Sequence, residues 1–215
     1  MKKTLYSVLL DESVVREIDR LAHRNGMSRS SLINQILAEY VDMTTPERRL
    51  GDVFRAMEAL LRPDTELVPF FAPNAMTMSL KSALDYKYRP TVKYAVDLHP
   101  AEDGGIGELS VVFRTQSAAL LEAMDSFFRI WKRTEDLYLV PRLGHEIPCA
   151  LYETRFVRAL AAPKRNCSVD ELAAAISNYV RLFDRLMKGY LAGKLSAADV
   201  AAQYEAEISR WEILI

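Results

Sequence analysis

Two hydrophobic periodicities follow each other in the first forty residues. Residues 3–10 are β-prone and contain neither glycine nor proline, which predicts a short strand. Behind Asp11, a candidate N-cap, apolar residues recur at helical spacing until Asn25 and Gly26 end the helix. Ser28 is the candidate N-cap of a second helix, whose apolar stripe covers about half of its surface. The stripe consists of Leu32, Ile33, Ile36, Leu37, Tyr40 and Val41.

This stripe is too wide for a segment of such length to bury within one chain. The predicted strand also has no partner inside the segment. A symmetric dimer resolves both problems, because two strands then pair antiparallel across a two-fold axis and four helices pack beneath them. The sequence therefore predicts that the chain is at least a dimer.

The same segment resembles a known module. Four stretches carry the resemblance: TLYSVLLDESV at residues 4–14, IDRLA at 18–22, GMSRSSLI at 26–33 and EYV at 39–41. Together they are similar to the ribbon-helix-helix DNA-binding module of the Arc, MetJ and CopG type, over residues 2–42. The remainder of the chain is not recognised.

The resemblance implies a mechanism of DNA binding. In that family the paired strands enter the major groove as a β-ribbon, and outward side chains contact base edges. The N-terminus of the second helix holds a phosphate through backbone N–H groups, the helix dipole and small hydroxyl side chains. The expected DNA-binding residues are Lys2, Lys3, Leu5, Ser7, Leu9, Ser28, Arg29 and Ser30.

The ribbon departs from the family pattern on its outward face. If Val8 and Leu10 point into the core, the outward residues are Lys3, Leu5, Ser7 and Leu9. The leucines make no hydrogen bonds to bases, although they can touch a thymine methyl group. A slip of one residue would turn Thr4, Tyr6 and Val8 outward instead. The ribbon then reads sequence weakly, relies on its N-terminal lysines against phosphates, or meets a protein.

From residue 46 onward the pattern predicts a separate α+β domain. Pro46 opens a helix after a Thr45 cap. From Met76 apolar and polar residues alternate, which predicts a three-stranded antiparallel meander with one buried face, over residues 76–88, 92–98 and 109–113. Further helices are predicted at 117–137, 150–161 and 168–190, and from Ser196 to Ile215. The predicted domains are residues 1–45, for dimerisation and DNA binding, and residues 46–215, for an effector or partner.

The composition of the chain limits the kinds of partner that it can bind. The 215 residues are 50% hydrophobic and 27% charged, which suffices for a packed core. Lys and Arg number 28 against 29 Asp and Glu, so attraction to DNA must come from a local patch. No apolar run reaches the roughly 18 residues of a membrane span, and we find no secretory signature. Cys149 and Cys167 are therefore expected to be reduced thiols of a cytoplasmic protein without a membrane partner.

The predicted C-terminal domain offers little catalytic chemistry. Its histidines and cysteines lack zinc-ligand spacing, and glycine-rich residues 103–107 lie between two strands, as in a hairpin. No nucleophile, base and orienting group come together, so neither an enzyme nor a cofactor is expected. Basic and aromatic residues alternate along the meander, which predicts a solvated basic face as a secondary candidate site for nucleic acid. These residues are Lys81, Tyr86, Lys87, Tyr88, Arg89, Lys93 and Tyr94.

Two functions from different classes remain open. The first is a dimeric transcriptional regulator, such as a repressor, that binds double-stranded DNA and whose C-terminal domain senses a small-molecule or protein effector. The second is a dimeric interaction protein, antitoxin-like or partition-like, whose C-terminal domain binds a partner protein. The apolar ribbon favours the second function. Lys2, Lys3 and the Ser28-Arg29-Ser30 sequence favour the first.

Overall fold

The computed structural model describes residues 4–41, 43, 45–70, 76–85, 89–102 and 105–215. The chain divides into two compact units, Met1–Arg48 and Arg49–Ile215. The apolar core lies in the second unit. Among the described residues of the first unit, the buried apolar side chains are those of Ala22 and Leu32.

An extended leading segment and two helices form the first unit. Residues 4–11 belong to no sheet within the single chain. Helix α1 (Glu12–Arg24) and helix α2 (Arg29–Tyr40) pack against each other, as their apolar stripes predict. The turn between them contains Gly26 at φ +64°, a conformation that residues with a Cβ atom rarely adopt. Asp11 occupies the N-cap of α1, but its side chain makes no capping hydrogen bond.

The second unit is built on a six-stranded antiparallel sheet with the order β1-β2-β3-β4-β6-β5. The strands are β1 (Val68–Pro69), β2 (Thr77–Ala83), β3 (Thr91–Glu102), β4 (Gly105–Phe113), β5 (Cys149–Tyr152) and β6 (Arg155–Ala161). The mixed helix and sheet class is confirmed. The smaller three-stranded meander is not, because the predicted strands correspond to β2, β3 and β4 of this larger sheet.

Most long helices begin where a side-chain cap was predicted. Pro46 starts α3 after Thr45, whose Oγ1 accepts the N–H of Arg48. Ser117 caps α4, and Ser168 and Ser196 form reciprocal capping boxes at the starts of α6 and α7. The helices are α3 (Pro46–Leu61), α4 (Ala118–Tyr138), α5 (Val140–Leu143), α6 (Val169–Leu191) and α7 (Ala197–Ile208).

Aromatic side chains of α4 and α6 pack on one face of the sheet. Phe128 of α4 stacks on Phe156 of β6, with ring centroids 5.0 Å apart, and Phe183 of α6 meets Tyr94 of β3 edge-on at 6.1 Å. The predicted alternation along β2, β3 and β4 is confirmed by the buried face, which comprises Met78, Leu80, Ser82, Val92, Tyr94, Val96, Leu98, Leu109, Val111 and Phe113. Met76, predicted on the same face, is exposed.

Two predicted helices need correction. Residues 150–161 form the β5–β6 hairpin and not a helix, because β6 pairs along its whole length with β4. Such long-range pairing leaves little trace in local periodicity. The last helix ends at Ile208, so Trp211 and Ile215 lie beyond it, although Ile215 is still buried in the core.

Candidate DNA-binding and dimerisation surface

The N-terminus of α2 is capped as the sequence predicts. The Ser28 Oγ atom accepts a hydrogen bond from the N–H of Ser31 at 3.1 Å. The four residues of the first turn include no acidic side chain. The first N–H groups of a helix have no carbonyl partner within it, and the helix dipole adds partial positive charge there. Arg29 and Ser30 therefore lie where an anion is favoured.

Arg29 forms an ion pair that the sequence did not indicate. Its Nε and Nη2 atoms donate to the two carboxylate oxygens of Asp19 on α1, each at 2.5 Å. The hydrogen bond from Arg29 lowers the pKa of Asp19 below its ordinary value, and the same bond raises the pKa of Arg29. In the single chain the guanidinium group is thus held on α1, beside the capped end of α2.

The leading segment exposes the side chains that were predicted to face outward. Leu5 is 94% exposed and Leu9 fully so, and Ser7 is exposed as well. Val8 and Leu10, predicted to point into a core, are also exposed in the single chain, at 66% and 44%. Lys2 and Lys3 lie outside the described residues. Both faces of this segment therefore meet solvent unless a partner covers one of them.

The helices of the first unit leave further apolar side chains exposed. Leu32 is buried between the helices, but the other side of the predicted stripe is open. Exposed apolar groups gathered on one surface mark interaction sites in soluble proteins. On α1 and α2 and directly after them they are Val14, Ile36, Leu37, Tyr40 and Val41.

One family model matches this region. Residues 7–43 match the model described as "Ribbon-helix-helix protein, copG family". The resemblance inferred from the sequence is confirmed, and the N-terminal segment is a ribbon-helix-helix module. Such a module binds DNA or dimerises, and it is typical of transcription regulators and antitoxins. The search of curated proteins and the search of solved structures gave no match to the chain.

The second unit contains a buried polar cluster that the sequence did not reveal. Arg158 of β6 is completely buried and its Nε atom donates to Glu135 of α4 at 3.1 Å. The hydroxyls of Tyr179 and Tyr204 donate to the same carboxylate, at 2.9 and 3.3 Å. Burial alone would lower the pKa of Arg158, but Glu135 outweighs it and raises that pKa. Because these groups bond one another inside the core, although the Nη1 atom of Arg158 is buried without a hydrogen-bond partner among the described residues, the cluster links α4, α6, α7 and β6.

Among the described residues, the clefts of the second unit are lined by charged side chains of both signs, which favours no particular class of ligand. One has a volume of about 590 Å³ and is lined by Glu66, Asp85, Arg89, Arg185, Lys188 and Lys194, among others. Several of these charges are already engaged: Lys188 bonds Glu66 and Asp184, each at 2.7 Å, and Arg185 bonds Glu207. Over the described ranges, no group of acidic, histidine or cysteine side chains could hold a metal ion, and no helix could cross a membrane.

The predicted separation of basic and aromatic residues on the sheet is confirmed where the structure describes it. Tyr94 is buried, and its hydroxyl donates to Asp184 at 2.7 Å. Lys81 and Lys93 are exposed on the opposite face, where both ammonium groups lie near the ring of Phe70. Tyr86, Lys87 and Tyr88 lie outside the described residues.

Proposed function

We propose that the protein is a dimeric transcriptional regulator that binds double-stranded DNA through its ribbon-helix-helix module. The observation that carries the proposal is the first unit itself. It has an unpaired leading segment, an open apolar stripe and a capped α2 terminus in one module. A second copy supplies the missing strand partner and covers the stripe, and it places two α2 termini on the same side of a two-fold axis.

The α2 terminus serves as a phosphate clamp in this proposal. Backbone N–H groups at residues 29 and 30 donate hydrogen bonds to the anion, and the Ser28 cap fixes their direction. To reach the phosphate, the Arg29 side chain either breaks its ion pair with Asp19 or divides its N–H donors between Asp19 and the phosphate. The exposed pair is a weak competitor, because both side chains are already solvated.

The apolar face of the ribbon limits how strongly the protein can distinguish one DNA sequence from another. Leu5 and Leu9 contact thymine methyl groups at most, so phosphates supply most of the affinity. Binding that neutralises about six to eight phosphates loses roughly 10³-fold in affinity between 50 and 200 mM salt. The affinity for the operator exceeds that for random DNA by only about 10³-fold, which is small for a specific DNA-binding protein.

The test is a gel shift with DNA from upstream of the protein's own gene. The variant Arg29→Glu with Ser30→Asp is expected to abolish the shift, because acids repel the phosphate at a cost on the order of 1 to 3 kcal/mol per lost charged contact. Folding should be little affected, since acids suit a helix N-terminus and the ion pair with Asp19 that is lost is exposed. The matched control is Ser13→Asp with Arg16→Glu, which makes the same charge change at the start of α1. Normal binding by the first variant would refute the clamp.

A second function is favoured by the same leucines. If the exposed Leu5 and Leu9 face a protein and not a base pair, the module belongs to an antitoxin-like or partition-like interaction protein. That protein would still dimerise, but its DNA binding would be weak and insensitive to the clamp variant. The gel shift and the salt dependence together therefore separate the two functions.

A further inference from the structure

The leading segment lacks the side chains that distinguish bases by paired hydrogen bonds. Residues 4–10 have the sequence TLYSVLL, which includes no arginine, lysine, amide or acidic side chain. In the major groove, side chains of those types recognise guanine, adenine and cytosine. The polar side-chain groups of residues 4–10 are hydroxyls, which both donate and accept and therefore bond to several bases. Any strong preference of this segment for one base must come from its apolar groups.

Neither face of the segment differs in this respect. Successive side chains of a strand point to opposite faces, so residues 5, 7 and 9 share one face and residues 4, 6 and 8 share the other. Each of these faces combines apolar groups with hydroxyl groups. A slip of one residue in the pairing of the ribbon would therefore bring no amide or charged group of residues 4–10 into the groove.

Leu5 and Leu9 are the largest apolar side chains on the face that is expected to point outward. Both are exposed in the single chain, so contact with DNA would not disturb a packed core. They lie four residues apart, which is about 13 Å along an extended strand. That distance corresponds to about four base pairs, at about 3.4 Å for each.

Thymine is the base with which these leucines can make a specific contact. Its 5-methyl group lies in the major groove, whereas the groove edges of adenine, guanine and cytosine present hydrogen-bonding groups. A leucine that packs against this methyl group removes apolar surface of both partners from water. The expected gain is about fourfold in affinity for each methyl group that is buried.

We infer that thymine methyl groups determine the DNA sequence preference of this protein, and that Leu5 and Leu9 of each copy contact them. The inference rests on the proposed DNA binding and specifies which feature of the DNA is recognised. A two-fold symmetric complex then has four such contacts, with the two from each copy about four base pairs apart. A G·C pair at a contacted position is disfavoured, because it presents no methyl group.

A protein partner is the weaker candidate for the two leucines. The capped N-terminus of α2 belongs to the same module, and its first turn has no acidic side chain. This terminus favours an anion. A DNA duplex offers phosphates to the α2 terminus and methyl groups to the leucines, whereas an apolar protein surface offers no anion.

Replacement of thymidine by deoxyuridine tests the inference on the unmodified full chain. Deoxyuridine lacks the 5-methyl group but keeps the hydrogen-bonding groups of thymidine. A duplex from upstream of the protein's own gene is made with either nucleoside, and fluorescence anisotropy measures the dissociation constant of each. Complete replacement is expected to raise the dissociation constant on the order of a hundredfold, because four methyl contacts are lost. The slope of affinity against salt should not change, because the methyl group carries no charge.

A variant in both leucines shows whether these side chains make the contact. Leu5→Ser with Leu9→Ser should bind the two duplexes with dissociation constants within about twofold of each other, because the contact is then absent from both. The control Leu137→Ser changes an exposed leucine of α4 in the second unit and should keep the full preference for thymine. Sedimentation of the double variant should show that it still dimerises, since outward side chains do not belong to the dimer core.

Several outcomes would overturn the inference. Equal affinities of the wild-type chain for the two duplexes would show that methyl groups are not recognised and would leave the leucines free for a protein partner. A double variant that keeps the preference for thymine, or that no longer dimerises, would show that the leucines do not face the groove. If 7-deazaguanine, which lacks the N7 acceptor, weakened binding more than deoxyuridine does, hydrogen bonds would carry the preference instead. Absence of any binding to either duplex at 50 mM salt would refute the proposed DNA binding itself, which distinguishes that failure from the others.

Discussion

The two units of the chain differ in the burial of their apolar side chains. In the second unit, Trp131, Phe127 and Phe183 are buried in one continuous core. In the first unit, Tyr6 and Tyr40 are 87% and 88% exposed in the single chain. Because burial of apolar surface drives folding, we expect the second unit to hold its own fold and the first to depend on a partner. Substitutions in the second unit should therefore change the free energy of unfolding, and those in the first should change association.

The largest change in the free energy of unfolding is expected when the buried ion pair of the second unit is broken. Arg158→Ala leaves the carboxylate of Glu135 buried without its cation, which should lower the free energy of unfolding by about 3 to 5 kcal/mol. Denaturant unfolding of the full chain measures this loss, and the loss should not depend on protein concentration. The control Arg129→Ala removes an exposed arginine of α4 and should cost at most about 0.5 kcal/mol. A loss below about 1 kcal/mol for Arg158→Ala would show that the cluster contributes little to the core.

A charge in the open stripe of the first unit should act on association. Ile36→Asp costs little in the single chain, where this side chain is exposed. In the proposed dimer, where the stripe is covered, the same variant would bury a carboxylate. The dimer dissociation constant of the module should rise about a hundredfold, equivalent to about 3 kcal/mol. Sedimentation equilibrium of the full chain measures it. Asn34→Asp, on the exposed side of the same helix, should leave the constant unchanged; an equal effect of both variants would place the interface elsewhere.

A smaller change, in DNA affinity, is expected at the proposed phosphate clamp of the first unit. Asp19→Asn releases Arg29 from its ion pair and removes a negative charge near the clamp, so DNA affinity should rise about threefold, or about 0.6 kcal/mol. Titration by fluorescence anisotropy measures this change. Glu17→Gln makes the same charge change at a carboxylate that pairs with Arg20 instead, and should have less effect. Weaker binding by Asp19→Asn would show that Asp19 positions Arg29 for the phosphate.

The smallest effect concerns acid stability of the second unit. Hydrogen bonds from the backbone N–H of Ser168 and from Arg165 lower the pKa of Glu171 from 4.5 to about 2. A lowered pKa in the folded state means stability that is complete above about pH 4.5 and is lost as the pH falls towards 2. Glu171→Gln should therefore be less stable than wild type at pH 6, with a difference that shrinks between pH 4.5 and 2. Thermal unfolding at several pH values checks this, and a difference that stays constant down to pH 2 would contradict it.

Local signals in the sequence predicted the helix starts, whereas contacts between distant residues were missed. Ser117, Ser168 and Ser196 all cap helices as expected, because a cap involves residues only three positions apart. Strand β6 was missed because its inward Arg158 breaks the apolar alternation. Its ion-pair partner, Glu135, lies 23 residues earlier on another element.

At the candidate site, too, local features were predicted and contacts between distant residues were not. The Ser28 cap followed from the local pattern. The predicted inward and outward faces of the leading segment are not distinguished in the single chain, because Val8 and Leu10 are exposed like Leu5 and Leu9. The ion pair between Arg29 and Asp19 joins two helices across ten residues, and no local rule selects Asp19 over its acidic neighbours.

Hydrogen exchange of the leading segment tests most directly whether the first unit completes its fold through a partner. Backbone amides at residues 5–9 of the full chain are followed at several protein concentrations. If the two leading segments pair across a two-fold axis, these amides should be protected at high concentration and lose protection on dilution, while those of α4 and α6 stay protected throughout. Exchange of residues 5–9 at unprotected rates, even at high concentration, would contradict the account.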